Sequence, residues 1–169
     1  MEKYEDARDK AARNIKIADH MLTQTYPLVN DPKILVSVIE NIFLALTNSM
    51  ASLLYFEKAC KNIPPFHDNF ESKYNMFKMK LVDKHGIGRD YIRFIEDMRD
   101  IVVAHKKSPT EFSRKGSFVI CSESYNLKAL APNEMRTFIS KAKSFNDEIN
   151  KIIKQGESRN MVIIEGDKA

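Results

Sequence analysis

The stretch ILVSVIENIFLALTNSMASLLYF, residues 34–56, is apolar along almost its whole length and decides which fold the sequence can adopt. It is long enough to cross a bilayer. However, it contains Glu40, Asn41 and Asn48, and a charged group near the centre of a bilayer is costly. A helix that is apolar on nearly every side is also typical of a bundle centre, where several neighbouring helices cover it. We therefore expect residues 34–56 to lie in the central helix of a helical bundle.

Start and stop signals along the chain predict five helices in all. Asp31 and Pro32 suit the N-cap and the first turn of the central helix. Pro27 and Pro64 disfavour continuation of the helices before them. Gly86 is well placed as a left-handed C-cap. Within each segment, apolar residues recur at the three- and four-residue spacing of a helix face. The predicted helices cover about residues 1–25, 31–62, 69–84, 89–107 and 133–154.

Two strand-like segments, Phe118–Cys121 and Tyr125–Leu130, precede the last helix and are separated by a polar turn. They predict a small β-hairpin over about residues 117–130. Gly156 is expected to end the last helix, which leaves a C-terminal tail, residues 157–169, carrying a short apolar patch. This patch can dock as an edge strand or on a partner. No repeat or linker divides the chain. We therefore expect one all-α domain: an up-and-down bundle of about five helices with a small β-hairpin inserted before the last helix.

Composition narrows the function classes only slightly. The 169 residues include 27 Lys and Arg against 23 Asp and Glu, a net charge of +4, which permits binding to phosphates or acidic partners without demonstrating it. Cys60 and Cys121 form no C-x-x-C pair, so reduced thiols in an intracellular protein are the simpler interpretation. Residues 1–14 are charged and lack the apolar core of a signal peptide. From the cysteines and the charged N-terminal residues we expect a cytoplasmic protein. We expect no metal or cofactor, because metalloprotease, di-metal and phosphate-loop motifs are missing from the sequence.

The segment MRDIVVAHKKS, residues 98–108, combines Arg99 and Asp100 with His105, which ends the apolar stripe of its helix. Six residues turn an ideal helix by about 600°, so the arginine and the histidine point about 120° apart. Within one chain they do not share a face. Two copies of this helix packed across a twofold axis, however, can line one cleft with two arginines and two histidines. A catalytic site formed by this motif would therefore require a homodimer, which we predict.

These side chains suit RNA cleavage without a metal. A neutral histidine can accept the proton of a ribose 2′-hydroxyl, and the resulting oxyanion attacks the adjacent phosphorus. A guanidinium can pair with the charge that builds on the phosphoryl oxygens. The products are a 2′,3′-cyclic phosphate and a free 5′-hydroxyl. A sequence-independent grip on phosphates would come from the basic residues that follow the motif. These are Lys106, Lys107, Arg114 and Lys115.

The arrangement resembles the HEPN family, a family of helical bundles with the signature R-x(4–6)-H in a late helix and a polar residue after the arginine. Arg99, Asp100 and His105 fit this signature with five intervening residues. The resemblance covers roughly residues 5–107 and the last helix. It implies a metal-independent endoribonuclease, toxin- or defence-like, that works as a homodimer. His105 would be the general base, Arg99 would stabilise the transition state, and Asp100 would orient or tune the arginine.

The resemblance also implies a candidate partner, because many HEPN proteins pair with an antitoxin of the nucleotidyltransferase type. Antitoxin-paired members often carry a tyrosine two residues after the histidine, where this sequence has Lys107. Modification of that tyrosine is therefore not available here. Other members of the family have lost catalysis. The alternative function is accordingly a catalytically inactive, HEPN-like helical dimer that binds a nucleotide, RNA or a partner protein.

Simpler interpretations of the same residues remain open. His105 can be a helix-end histidine stabilised by the helix dipole. Arg99 can pair with Glu96, one turn earlier on a solvated face. A second stretch, with Arg13 and His20, also fits the signature. It lies in the first helix, where the family does not carry its site. The late helix and the adjoining basic residues therefore favour Arg99 and His105.

Overall fold

A computed structural model describes the backbone of residues 2–167 and the side chains of residues 2–160. This part of the chain is mostly helical, with five continuous helical stretches and one three-stranded antiparallel sheet. Two of the five stretches each consist of two α-helices joined by a π-helical turn, at Met21–Thr25 and at Phe77–Leu81. An all-α fold with a small β insertion is therefore confirmed. In chain order the elements are α1 (Lys3–His20), α2 (Tyr26–Val29), α3 (Ile34–Ala59), α4 (Phe70–Met76), α5 (Val82–His85), α6 (Arg89–Lys107), β1 (Thr110–Arg114), β2 (Ser117–Cys121), β3 (Leu127–Leu130) and α7 (Pro132–Asp167).

The first helix continues past Pro27, so the predicted end before this proline is wrong. A π-helical turn, Met21–Thr25, joins α1 to α2, and Asn30 ends the helix in the left-handed conformation. A proline lacks the N–H that an α-helix needs for its bond to the preceding turn. Just before Pro27 the bonding becomes π-helical, and the N–H of Tyr26 donates to the carbonyl of Met21. The chain therefore stays helical although Pro27 has no N–H to donate.

Helix α3 packs against α1, α6 and α7, and it carries the largest share of the core. Among the described residues, α3 alone is long and apolar enough to cross a membrane by length and composition. However, 56% of its most apolar 18-residue window is buried inside the protein. More than half of that apolar window is thus covered by the rest of the protein. This is the position that its all-round apolar character predicts.

Side-chain pairs along α3 give the directions of its neighbours. Tyr4 at the start of α1 packs on Phe56 at the end of α3, with ring centroids 5.2 Å apart, so these helices are antiparallel. Phe70 at the start of α4 packs on Phe43, 5.4 Å away, near the beginning of α3. Residues 60–69 therefore run back along α3. The stretch from α4 to α5 then follows the direction of α3, because His85 at its end contacts Glu57 near the end of α3. The strict alternation of an up-and-down bundle is interrupted at this crossover segment.

The sheet has the order β1-β2-β3, and β1 was missing from the predicted hairpin. A tight turn with positive φ at Lys115 (47°) and Gly116 (78°) joins β1 to β2, as a two-residue hairpin loop requires. The predicted β2–β3 pairing is confirmed. Phe118 lies opposite Leu130, and both side chains are buried in the core of the bundle. The sheet therefore closes the bundle at the end of α6.

Helix α7 continues through Gly156 to Asp167, so the predicted helix end at Gly156 is wrong. A Cβ atom at position 156 would lie 2.5 Å from Cε1 of Phe56. The glycine therefore allows α7 to approach α3 closely and does not cap the helix. Residues 161–164, expected to form an apolar docking patch, have helical backbone in α7, and their side chains lie outside the described residues.

Candidate functional site

Arg99 lies on the side of α6 that faces α4. Its guanidinium pairs with the carboxylate of Glu71 and lies over the ring of Phe70, 4.7 Å from the ring centroid. The Arg99 side chain is 40% exposed. The expected partner, Glu96, instead accepts a hydrogen bond from the hydroxyl of Tyr74. Arg99 is thus held in a fixed direction by a flat ring and one carboxylate, while part of the guanidinium still faces solvent.

His105 lies in the last turn of α6 between two carboxylates. Its Nδ1 atom is 2.7 Å from Oε1 of Glu111 on β1, and its Nε2 atom is 3.7 Å from Oε1 of Glu40 on α3. The side chain is 26% exposed. A carboxylate on one ring nitrogen fixes the orientation of an imidazole and favours the tautomer with its proton on that nitrogen. The Nε2 atom is then the one available to exchange protons.

One chain does not bring Arg99 and His105 together. Within the described side chains, the arginine contacts α4 and the histidine contacts α3 and β1. This agrees with the 120° separation expected from helix geometry. Asp100 was expected to orient Arg99, but within the described residues these two form no ion pair, and Glu71 holds the guanidinium. Asp100 is exposed and lines a surface cavity of about 430 Å³ together with Lys128.

The four basic residues predicted to bind phosphates are all exposed, but they form two pairs. Lys106 and Lys107 end α6. Arg114 and Lys115 lie at the β1–β2 turn, near the hydroxyl of Tyr26, which donates to the carbonyl of Gly116 at 3.4 Å. Since a strand rises by about 3.4 Å per residue, the length of β1 separates the pairs by roughly 14 Å. They flank the His105 region from its two ends.

Sequence reasoning missed the three carboxylates that contact Arg99 and His105. Glu111 lies in β1, a strand whose polar sequence gave no signal, and Glu71 lies in the first turn of α4. Glu40 did give a signal in the sequence, because it is the single charged residue in the apolar part of α3. A lone acid in such a helix indicates either a surface position or a partner, and Glu40 has both.

A second polar cluster lies where α3 and α5 end. Glu57 is 2% exposed, and its carboxylate accepts from Lys84 Nζ at 2.9 Å and Asn62 Nδ2 at 2.8 Å. Its other oxygen is 2.6 Å from Nε2 of His85. These side chains line a cavity of about 120 Å³ together with Cys60 and residues of α3 and α7.

The chemistry of Glu57 follows from these contacts. Burial acts to raise the pKa of its carboxyl group, but the hydrogen bonds from Lys84, Asn62 and His85 outweigh burial and lower the pKa below the ordinary value of 4.5. The carboxylate therefore stays ionised and joins the C-termini of two helices. Because Lys84, Asn62 and His85 each bond to Glu57, the cluster is better explained as a structural link than as a reaction centre.

Over the described residues, histidine, cysteine and acidic side chains form no group of three or more arranged to hold a metal ion. Comparisons of the chain with protein family models, curated proteins and solved structures find no match. The function of the protein must therefore be inferred from its own residues.

Proposed function

We propose that this protein is a metal-independent endoribonuclease of the HEPN type, toxin- or defence-like, which acts in the cytoplasm as a homodimer. The observation that carries the proposal is the placement of His105. Its Nδ1 atom lies against Glu111, and its ring remains partly open to solvent. A histidine ordered in this way is suited to proton transfer.

In the proposed reaction, Nε2 of His105 removes the proton from a ribose 2′-hydroxyl. The 2′-oxygen forms a bond to phosphorus, and the bond from phosphorus to the 5′-oxygen breaks. The 5′-oxygen leaves with a proton, which the second histidine of the dimer can supply. Glu111 stabilises the imidazolium while it carries the proton. Glu40, 3.7 Å from Nε2, must move aside for the phosphate.

Arg99 supplies the positive charge in this proposal. Its ion pair with Glu71 is partly exposed, and such pairs contribute little to stability, so a phosphate can replace the carboxylate. The ring of Phe70 keeps the guanidinium plane in place during that exchange. Because Arg99 and His105 lie on different sides of α6, the cleft is complete only when a second copy supplies the missing group. A nucleotidyltransferase-type antitoxin is the proposed regulatory partner.

The test is cleavage of a fluorescent single-stranded RNA by the purified protein in EDTA. We expect a 2′,3′-cyclic phosphate end, and we expect His105→Ala to lower the rate by at least about 10²-fold, the low end of what a general base contributes. The double variant Arg13→Ala/His20→Ala is the matched control, since this exposed pair has the same signature in α1. Equal cleavage by His105→Ala and the control would refute the proposal.

The alternative is a catalytically inactive HEPN-like dimer that binds a nucleotide, RNA or a partner protein. One observation favours it: carboxylates contact both Arg99 and His105 within the same chain. Such contacts repel an incoming phosphate and can simply stabilise the fold. RNA binding without any cleavage, in a protein that sediments as a dimer, would support this alternative.

A further inference from the structure

Two pairs of aromatic residues lie where the crossover segment returns beside α3. Tyr55 stacks on Phe66, with centroids 5.8 Å apart and an interplanar angle of 28°. Phe43 packs on Phe70 at 5.4 Å. All four residues are partly exposed, and Phe43, Phe66 and Phe70 pack against the core. We call Tyr55 and Phe66 the aromatic band. Twelve residues of α3 separate Phe43 from Tyr55, a rise of roughly 18 Å and a rotation of about 120°, so the two pairs lie on different sides of α3.

Cations lie over the outer faces of the band. Nζ of Lys3 is 5.5 Å from the ring centroid of Tyr55, and Nζ of Lys58 is 5.4 Å from that of Phe66. In the other pair, Arg99 covers Phe70. The two exposed lysines therefore lie beside the stacked rings of the aromatic band.

Lys73, whose Nζ is 5.3 Å from the ring centroid of Tyr55, is paired with a carboxylate, whereas Lys3 and Lys58 lie outside the ion pairs of this region. Within the described side chains, neither Lys3 nor Lys58 forms an ion pair. The acids nearby are engaged elsewhere: Asp68 pairs with Lys73, and Glu71 pairs with Arg99. Lys3 also lies in the first turn of α1, where the helix dipole disfavours a cation. Helix stability therefore does not explain this lysine.

We propose that the aromatic band binds single-stranded RNA, with bases stacked on the rings and phosphates held by Lys3 and Lys58. Aromatic platforms beside cations bind single strands without sequence preference, because every base has a flat face. The lysines over the rings are long and exposed, so each ammonium group can move to a phosphate while a base takes its place. The inference deepens the proposed function, on which it rests for the choice of RNA.

The test measures binding of a fluorescein-labelled twelve-nucleotide uridine RNA by fluorescence anisotropy. His105→Ala is the background, so that binding is measured without cleavage. We expect Lys3→Glu/Lys58→Glu to raise the Kd at least ten-fold. The slope of log Kd against log salt concentration should fall by about 1.4 for two lost phosphate contacts. Lys16→Glu/Lys33→Glu is the control, because it changes the charge equally at exposed positions away from the band.

A second variant separates stacking from charge. Phe66→Leu keeps an apolar side chain against the core but removes the flat ring, so we expect a Kd about ten-fold higher with little change in Tm. Equal losses in the two charge-reversal variants, or unchanged binding in both Lys3→Glu/Lys58→Glu and Phe66→Leu, would overturn the inference. A protein that binds through the band but never cuts RNA would refute the proposed function alone. Cleavage with a Kd insensitive to the band would refute this inference alone.

Discussion

Replacing Glu57 with alanine tests whether the buried carboxylate holds the bundle together. The substitution removes the acceptor of three hydrogen bonds, from Lys84, Asn62 and His85. A hydrogen bond to a charged group contributes about 1.5–3 kcal/mol. The sum must be discounted, because the Lys84 side chain is 43% exposed and its ammonium group can return to water. We therefore expect a loss of about 3 kcal/mol, the low end for breaking a buried ion pair.

The assay is thermal unfolding followed by circular dichroism at pH 7. A loss of about 3 kcal/mol corresponds to a Tm lower by roughly 6–12 °C in a chain of this size. Glu123→Ala, which removes an exposed acid in the β2–β3 turn, is the control and should leave the Tm nearly unchanged. A fall of less than 2 °C for Glu57→Ala would contradict the inference that this carboxylate is a structural link.

The Tm difference between the natural protein and Glu57→Ala should depend on pH, and its sign follows from the lowered pKa of Glu57. The pKa of Glu57 is lower in the folded protein than its ordinary value of 4.5. The unfolded chain therefore takes up this proton first as the pH falls. The stability that Glu57 contributes is fully present above pH 4.5 and is lost as the pH falls through the lowered pKa. The Tm difference between the natural protein and Glu57→Ala should shrink below pH 4.5. A difference that stays constant to the lowest pH at which both proteins fold would refute the argument.

Three further substitutions have clear expected outcomes. Gly156→Ala should lower the free energy of unfolding in urea by about 1–3 kcal/mol, because the new methyl group overlaps the ring of Phe56. Phe145→Ala should lower it by about 3–5 kcal/mol, because this ring is completely buried. Glu111→Gln should leave Tm nearly unchanged but slow RNA cleavage by about 10²-fold, since His105 loses the carboxylate that stabilises its imidazolium. An unchanged rate in the EDTA cleavage assay would remove Glu111 from the mechanism.

Local signals were sufficient to predict that the five helical stretches exist. The limits of α6 were predicted as residues 89–107 and are Arg89–Lys107, because Gly88 precedes the helix and Pro109 follows it closely. Local signals failed where a distant partner decides the backbone. Gly156 indicates a helix end by composition, yet it serves the contact with Phe56, one hundred residues earlier. Strand β1 was missed because its polar sequence forms a strand only by pairing with β2.

The candidate site was likewise predictable from the sequence only in part. The separation of Arg99 from His105 followed from the helical turn per residue alone. Their partners did not, because Glu71 reaches Arg99 through the packing of α4, and Glu111 reaches His105 through the direction of β1. Such contacts depend on how separate elements pack, and a single sequence contains no local signal for them. The function proposed from the motif stays a prediction.

The hydrogen bond from Ser49 to Asn146 has a consequence for how the protein is made. These residues are 97 positions apart, and they join α3 to the last helix. At about 5–20 residues per second, the ribosome needs roughly 5–20 s to make the chain between them. During that interval, the face of α3 that α7 will cover remains in contact with water or a chaperone. The helix with the most apolar sequence is thus among the first to emerge and the last to be enclosed.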